Sequence, residues 1–445
     1  STHHKFFCLA DMGTMKTLST LYAVDYLLDL GLVKQVLIIC PKSIVRNVWL
    51  KEINASFPHR SATVLVHTDP LVRRRKATSL SDIHIVNPSG VEICYAEMEG
   101  RYDLIVIDES TQYKKYATRR WKFARPLVAA ASRCWMLTGT PSVQYPLDAF
   151  GQCKLMYQAD WAMTESQFKM LTMQQFGKYR WVPLESAVDT IHECLQPAMV
   201  IHKRDVLLDL PPITTTQREV ELTPEQKRLM RDLRKDAQAQ ATSGVQISAV
   251  HQAALRTKIL QIASGTVYDD NDNIHEVDCK PRMDELLEIV RQVRAQDNGT
   301  GKPEHKVIVI AAFTHTVDKV AAELNKAGFN FAVMYGAVSL KQRERILDSM
   351  EATREYDGVV AYPTVLSHGV TLTSCTTTVF FTPFDKAEEA IQVQNRMDRQ
   401  GQKQPMQIIQ LSGCAAEDLL YERMHQRIEF HKEVVGSYSQ FVDVL

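Results

Sequence analysis

Two trains of continuous apolar runs constrain this chain more than any other feature. The first train occupies residues 36–40, 63–66, 83–86, 104–107 and 134–137; the second occupies 307–311, 331–334, 358–361, 378–381 and 407–411. A run without polar alternation has both faces buried, and each of these runs is followed by a longer amphipathic segment of helical period. Alternation of that kind predicts parallel strands covered by helices, an α/β fold with two doubly wound parallel-sheet lobes. Ligands of such sheets bind at the loops leaving the C-terminal ends of the strands, so function is sought just after each run.

The chain of 445 residues suits two to three domains. Residues 1–142 are expected to form the first lobe and 143–210 a helical insertion in it. Residues 211–300 are expected to be a helical segment leading into the second lobe, 301–445. Pro211 and Pro212 stop a helix and stiffen the connection there. Thr223, Pro224 and Gln226 have the spacing of a capped helix start.

Lys plus Arg and Asp plus Glu both number 52, so the net charge is zero. That argues against a binder that attracts nucleic acid over its whole surface and leaves room for a local basic groove. Arg73, Arg74, Arg75 and Lys76, with Lys114, Lys115, Arg119 and Arg120, read equally as solvated faces or as nucleic-acid contacts. Nine scattered cysteines without a Cys-x-x-Cys pair suggest neither a zinc site nor a disulfide framework, and fit a reducing, cytoplasmic setting. No apolar run approaches the roughly 20 residues that cross a bilayer, so no membrane partner is expected. The chain does not begin with Met and a phosphate-type loop comes very early, so a truncated N-terminus is expected.

That early loop is Ala10-Asp11-Met12-Gly13-Thr14-Met15-Lys16-Thr17. A phosphate loop needs backbone N–H groups aimed at phosphate, a Lys for the outer oxygens and a hydroxyl for Mg²⁺. Gly13, Thr14, Lys16 and Thr17 can bind a nucleotide in this way at a helix start, with Thr17 also a metal ligand. Taken alone, the segment is equally a plain loop before a helix. Further on, an apolar strand delivers Asp108 and Glu109 at its end. Asp108 can hold Mg²⁺ and Glu109 can orient and deprotonate an attacking water; a strand capped by an acidic turn is the simpler alternative. Leu137-Thr138-Gly139-Thr140-Pro141 also ends a strand, and by itself is an ordinary turn. In the second half, Arg396 and Arg399 are three apart and would share a helix face. Planar guanidinium groups suit a charged phosphoryl group, although an exposed charged helix reads the same way.

Taken together these residues resemble superfamily-2 helicases, and most closely the Swi/Snf family of DNA translocases in its compact bacterial or phage form. Further points of likeness are Lys114, His202-Lys203-Arg204-Asp205-Val206, Gln261-Ile262-Ala263-Ser264-Gly265, Ser367-His368-Gly369-Val370-Thr371 and Arg396-Met397-Asp398-Arg399-Gln400-Gly401-Gln402. The resemblance implies RecA-like lobes with ATP and Mg²⁺ in the cleft and Arg396 and Arg399 as finger arginines. It implies that Gln392 and Gly369 couple nucleotide to nucleic acid. It also implies that Lys42, Ser43, Asn87, Ser89, Thr314, His315 and Ser367 lie in loops touching the backbone of double-stranded DNA without reading its sequence. No strand-separating wedge is recognisable, so translocation is expected in preference to unwinding. The setting implied is a bacterial or phage-infected cell, and no protein partner can be named. Met15 stands where the family has glycine, Ser110-Thr111 replaces Ala-His, and Asp398 stands where His is usual. Met15 motivates a second expectation, a catalytically weakened module switched by ATP. An RNA-directed helicase is a third.

Overall fold

The computed structural model describes residues 4–11, 13–142, 145–176, 180–201, 210–242, 249–269, 271, 273–297, 299, 305–366, 372–399 and 401–442. The chain divides into two compact units, 1–208 with 427–445, and 209–426. Each is an α/β unit around one parallel sheet.

In the first unit the strands are β1 Lys5–Ala10, β2 Val36–Ile39, β3 Ala62–Val64, β4 Ile83–Val86, β5 Leu104–Asp108, β6 Arg133–Thr138 and, after a small hairpin of β7 Met173–Phe176 and β8 Arg180–Pro183, β9 Ala198–Ile201. They pair in parallel in the order β3-β4-β2-β5-β6-β1-β9, while β7 and β8 are antiparallel. Strand periodicity puts neighbouring side chains on opposite faces, and here both faces are buried. Phe7, Leu9, Leu37, Ile39, Ile105 and Ile107 fill one face; Cys8, Ala10, Val36, Ile38, Leu104 and Val106 fill the other. This explains why the strands read as unbroken apolar runs.

The second unit contains β10 Ile213–Glu219, an antiparallel hairpin of β11 Thr266–Tyr268 and β12 Ile274–Glu276, and then β13 Lys306–Ile310, β14 Phe331–Met334, β15 Gly358–Ala361, β16 Cys375–Phe380 and β17 Met406–Ser412. The order β10-β17-β16-β13-β15-β14 is again parallel throughout. Thr223 and Gln226 form the reciprocal cap expected before helix Pro224–Thr242, each backbone N–H bonded to the other's side chain, at 2.9 and 3.2 Å.

The two α/β lobes are those expected. The segment taken as helical between the two trains is not purely so, since it contributes β7, β8, β9, β10, β11 and β12. Among the described residues β10, Ile-Thr-Thr-Thr-Gln-Arg-Glu, is an edge strand paired with β17 alone, so its side chains stay mostly exposed and polar and show no apolar run. The last helix, Ala415–Val442, is shared: from Arg427 onward it belongs to the first unit, where Val434 and Phe430 join that unit's core.

Candidate active site

Because every strand of the first sheet is parallel, all C-terminal ends share one rim. Along the order β4-β2-β5-β6-β1 that rim carries, in turn, Asn87-Pro88-Ser89, Pro41-Lys42-Ser43, Asp108-Glu109, Gly139-Thr140 and the loop ending at Lys16. Residues scattered over 130 positions of sequence therefore meet along a single edge.

The loop after β1 turns tightly. Gly13 has φ of 87° and Met15 has φ of 57°, while the Thr14 hydroxyl donates to the Asp11 carbonyl at 2.7 Å. Met15 thus holds the left-handed conformation that favours glycine, a cost of roughly 1–2 kcal/mol for an L-residue, and its side chain is half exposed. Helix Lys16–Asp29 starts immediately after it, leaving the first-turn N–H groups facing the loop. The Lys16 ammonium is buried and has no hydrogen-bond partner. Met12 lies outside the described residues.

At the end of β5 the Asp108 carboxylate is buried with both oxygens engaged. Oδ1 accepts the Glu109 backbone N–H at 2.9 Å, and Oδ2 accepts the Trp49 indole N–H at 2.9 Å. Burial, reinforced by the Glu109 charge, pushes its pKa up to about 6 against the opposing pull of Lys16 and the two hydrogen bonds. Glu109 is left-handed, with φ of 52°, and its Oε2 is buried without a partner. Backbone strain of this kind collects where function over-determines geometry. The Thr140 hydroxyl is a third buried polar group without a partner, while the Thr140 N–H is bonded to the Thr138 hydroxyl at 3.0 Å. A buried ammonium, a carboxylate pair and an unbonded hydroxyl on one rim suit a phosphate with its cation: a polar group left unpaired in the interior costs about 1–3 kcal/mol, and such a ligand would satisfy all three.

Three residues that support this rim were not singled out in the sequence. The Ser110 hydroxyl donates to Gln152 Oε1 at 2.7 Å, and Gln152 Nε2 donates to the carbonyls of Pro141 and Asp148, both at 2.8 Å. Gln152 thereby ties the loop after β5 to the loop after β6. Gly151 lets helix Leu147–Tyr157 lie directly on the Asp108-Glu109 loop, since a Cβ there would overlap the carbonyl oxygens of Tyr113 and Lys114. Trp49 is the third. None has a local signature: a glutamine, a glycine and a tryptophan acquire these jobs only by tertiary contact.

On the other half of the rim, Lys42 and Ser89 are exposed and Ser43 partly so. Asn87 is buried and donates to the Ser89 hydroxyl at 2.6 Å.

In the second unit, helix Ala387–Met397 carries Gln392 and Arg396, each 2% exposed. The expectation that Arg396 and Arg399 share a helix face needs correcting. The helix stops at Met397, with Asp398 outside helical geometry, and Arg399 folds back to donate through Nε to the Asn395 carbonyl at 3.0 Å. Gln402 holds this turn: its Nε2 donates to the Thr373 and Cys375 carbonyls, both at 3.1 Å, and its Oε1 accepts the N–H of Lys403 and of Gln404, both at 3.0 Å. Thr314 and His315 open helix Thr314–Lys326 at the C-terminal end of β13, with the His315 ring on Tyr268. Ser367 and Gly369 lie outside the described residues, as do residues 202–206.

These features place the chain among the helicase-type α/β proteins. The SNF2-related domain matches residues 7–284 and the helicase conserved C-terminal domain matches residues 282–401. The chain belongs to the SNF2-related family of superfamily 2. It is 25% identical over 428 residues to a Caenorhabditis elegans protein described as a SWI/SNF-related matrix-associated actin-dependent regulator of chromatin subfamily A-like protein 1 homolog, covering 91% of this chain and 56% of that one. It is also 25% identical over 451 residues to an uncharacterized ATP-dependent helicase of Mycoplasma pneumoniae, covering 98% and 40%. Among solved structures it is similar to the Sulfolobus solfataricus SWI2/SNF2 ATPase core in complex with dsDNA, at 19% identity, 96% and 92% coverage and a TM-score of 0.43. The chain spans between 41% and 56% of the length of its Caenorhabditis and Xenopus relatives. Among the described residues no helix is long and apolar enough to cross a membrane.

Proposed function

We propose that this chain is an ATP-dependent translocase on double-stranded DNA. The observation that carries the reading is the buried, unpartnered ammonium of Lys16 on the same rim as Asp108 and Glu109. Gly13, Thr14, Lys16 and Thr17 would hold the triphosphate, and Thr17 with Asp108 would hold Mg²⁺. When bound, the ion supplies charge neutralisation at the phosphates. Glu109 takes the proton from the attacking water, a contribution of about 10²- to 10⁴-fold for a positioned base. Arg396 and Arg399 are the proposed source of positive charge for the phosphoryl group, with Gln392, one turn before Arg396, and Gly369 coupling nucleotide to nucleic acid. Lys42, Ser43, Asn87 and Ser89 in the first unit, and Thr314, His315 and Ser367 in the second, would track phosphates and read no bases. Support comes from the family membership and from the rim itself, which sets Lys42, Ser43, Asn87 and Ser89 beside the nucleotide half.

The test is steady-state ATP turnover without nucleic acid and with duplex DNA, single-stranded DNA and RNA. Stimulation by duplex DNA above the other two is expected. Turnover indifferent to all three rejects the coupled motor, and preference for RNA replaces it with an RNA-directed one. Glu109→Gln should abolish turnover while sparing nucleotide binding.

A further inference from the structure

We propose that Trp49 is a positioning residue whose indole N–H fixes the Asp108 carboxylate in the orientation that accepts the metal ion. The inference rests on the proposed function. Trp49 is fully buried, and its N–H reaches Asp108 Oδ2 at 2.9 Å while the Glu109 N–H holds Oδ1 at 2.9 Å. Each carboxylate oxygen has two lone pairs. One donor per oxygen therefore locks the plane of the group and leaves a lone pair on each for a ligand.

The backbone around Trp49 is unusual in a way that serves this contact. Trp49 lies in a π-helical turn, Val45–Leu50, which runs directly into helix Lys51–Ser56. A π turn holds one residue more than an α turn, which rotates the succeeding side chains by about 100° around the axis, and such turns recur at functional sites. Ile44, Val45 and Ile53 are buried around it, so the indole sits in a packed wall and has little freedom to leave Asp108. A buried indole N–H left without a partner costs about 1–3 kcal/mol, and for Trp49 that partner is Asp108. The buried indole nitrogen of Trp135, which has none, shows that this core tolerates one.

The test separates the N–H from the ring. Trp49→benzothienylalanine, introduced by codon suppression, replaces the N–H by sulfur at nearly constant shape; Trp49→Phe is the simpler variant. Mn²⁺ binding is followed by electron paramagnetic resonance with a non-hydrolysable ATP analogue present, and analogue binding is measured separately in EDTA. Loss of an outer-shell partner typically costs 10- to 100-fold in metal affinity. The sulfur variant is expected to lose about 10-fold or more in Mn²⁺ affinity, with analogue binding in EDTA unchanged. Unchanged Mn²⁺ affinity overturns the proposal, even if the melting temperature falls. A wild-type protein without a nucleotide-dependent Mn²⁺ site would sink the metal reading of Asp108 itself, and the two failures are thereby told apart.

Discussion

Replacing Lys16 by Met should make the nucleotide-free protein more stable while destroying its response to nucleotide. The Lys16 ammonium is buried without a hydrogen-bond partner, and an unsatisfied buried polar group costs about 1–3 kcal/mol, more if charged. Met keeps the length of the side chain and removes that cost. Against this stands the attraction between Lys16 and Asp108, which lowers the proton affinity of Asp108 and vanishes with the charge. At the effective dielectric of a protein interior that loss offsets part of the gain, so the net is set at about 1 kcal/mol. For a unit of roughly 200 residues, 1 kcal/mol moves Tm by about 2–4 °C. A non-hydrolysable ATP analogue with Mg²⁺ at 100 times its Kd contributes about 2.7 kcal/mol to the wild type, or about 5–11 °C. Scanning fluorimetry with and without the analogue should show a higher Tm for nucleotide-free Lys16→Met and no shift on adding analogue. A nucleotide-free Tm that drops by several degrees would refute the account of Lys16 as an unsatisfied cation. A preserved analogue shift would remove it from the phosphate site.

Other perturbations address separate features. Met15 already holds a left-handed backbone and its side chain is half exposed, so Met15→Gly should change ATP affinity by less than about fivefold, the equivalent of about 1 kcal/mol; a large gain in affinity and turnover would favour a weakened natural loop. In the second unit Arg282 is buried, donating to Glu417 Oε2 at 2.5 Å and to the Phe381 carbonyl at 2.5 Å. Arg282→Met should cost about 3–5 kcal/mol in urea melts by stranding the Glu417 charge, and adding Glu417→Leu should recover most of it; a double variant no more stable than the single one contradicts this. His84 is buried between the hydroxyls of Ser79 and Tyr102, and burial, with a smaller push from Arg101, lowers its pKa to about 4. The unfolded chain takes up this proton near pH 6.5, so the stabilisation is complete above that pH and is lost on acidification towards 4; discounted for partial screening it is on the order of 2 kcal/mol. Wild-type melting temperature should fall more steeply than that of His84→Gln between pH 7 and 5.

Much of this molecule is written locally. Both parallel sheets were legible because β2, β5, β13 and β15 are buried on both faces and are built from nearly continuous apolar runs. The glycine and lysine of the first loop and the Asp108-Glu109 pair were legible as a candidate site because a phosphate and its metal would demand particular residue types at strand ends. What tertiary structure alone decided is how those ends are ordered and held. Strand pairing, not sequence distance, sets β6 between β1 and β5, and so brings Asp108 within electrostatic reach of Lys16. Packing across the rim recruits Gln152, Gly151 and Trp49, residue types with no chemistry that announces a site. The turn at Asp398 separates Arg399 from the helix that carries Arg396, against a spacing that suggested one face. Periodicity specifies what is buried, because burial follows from the residues themselves; which buried groups become partners depends on contacts between segments far apart in the chain, and these exist only once it has folded.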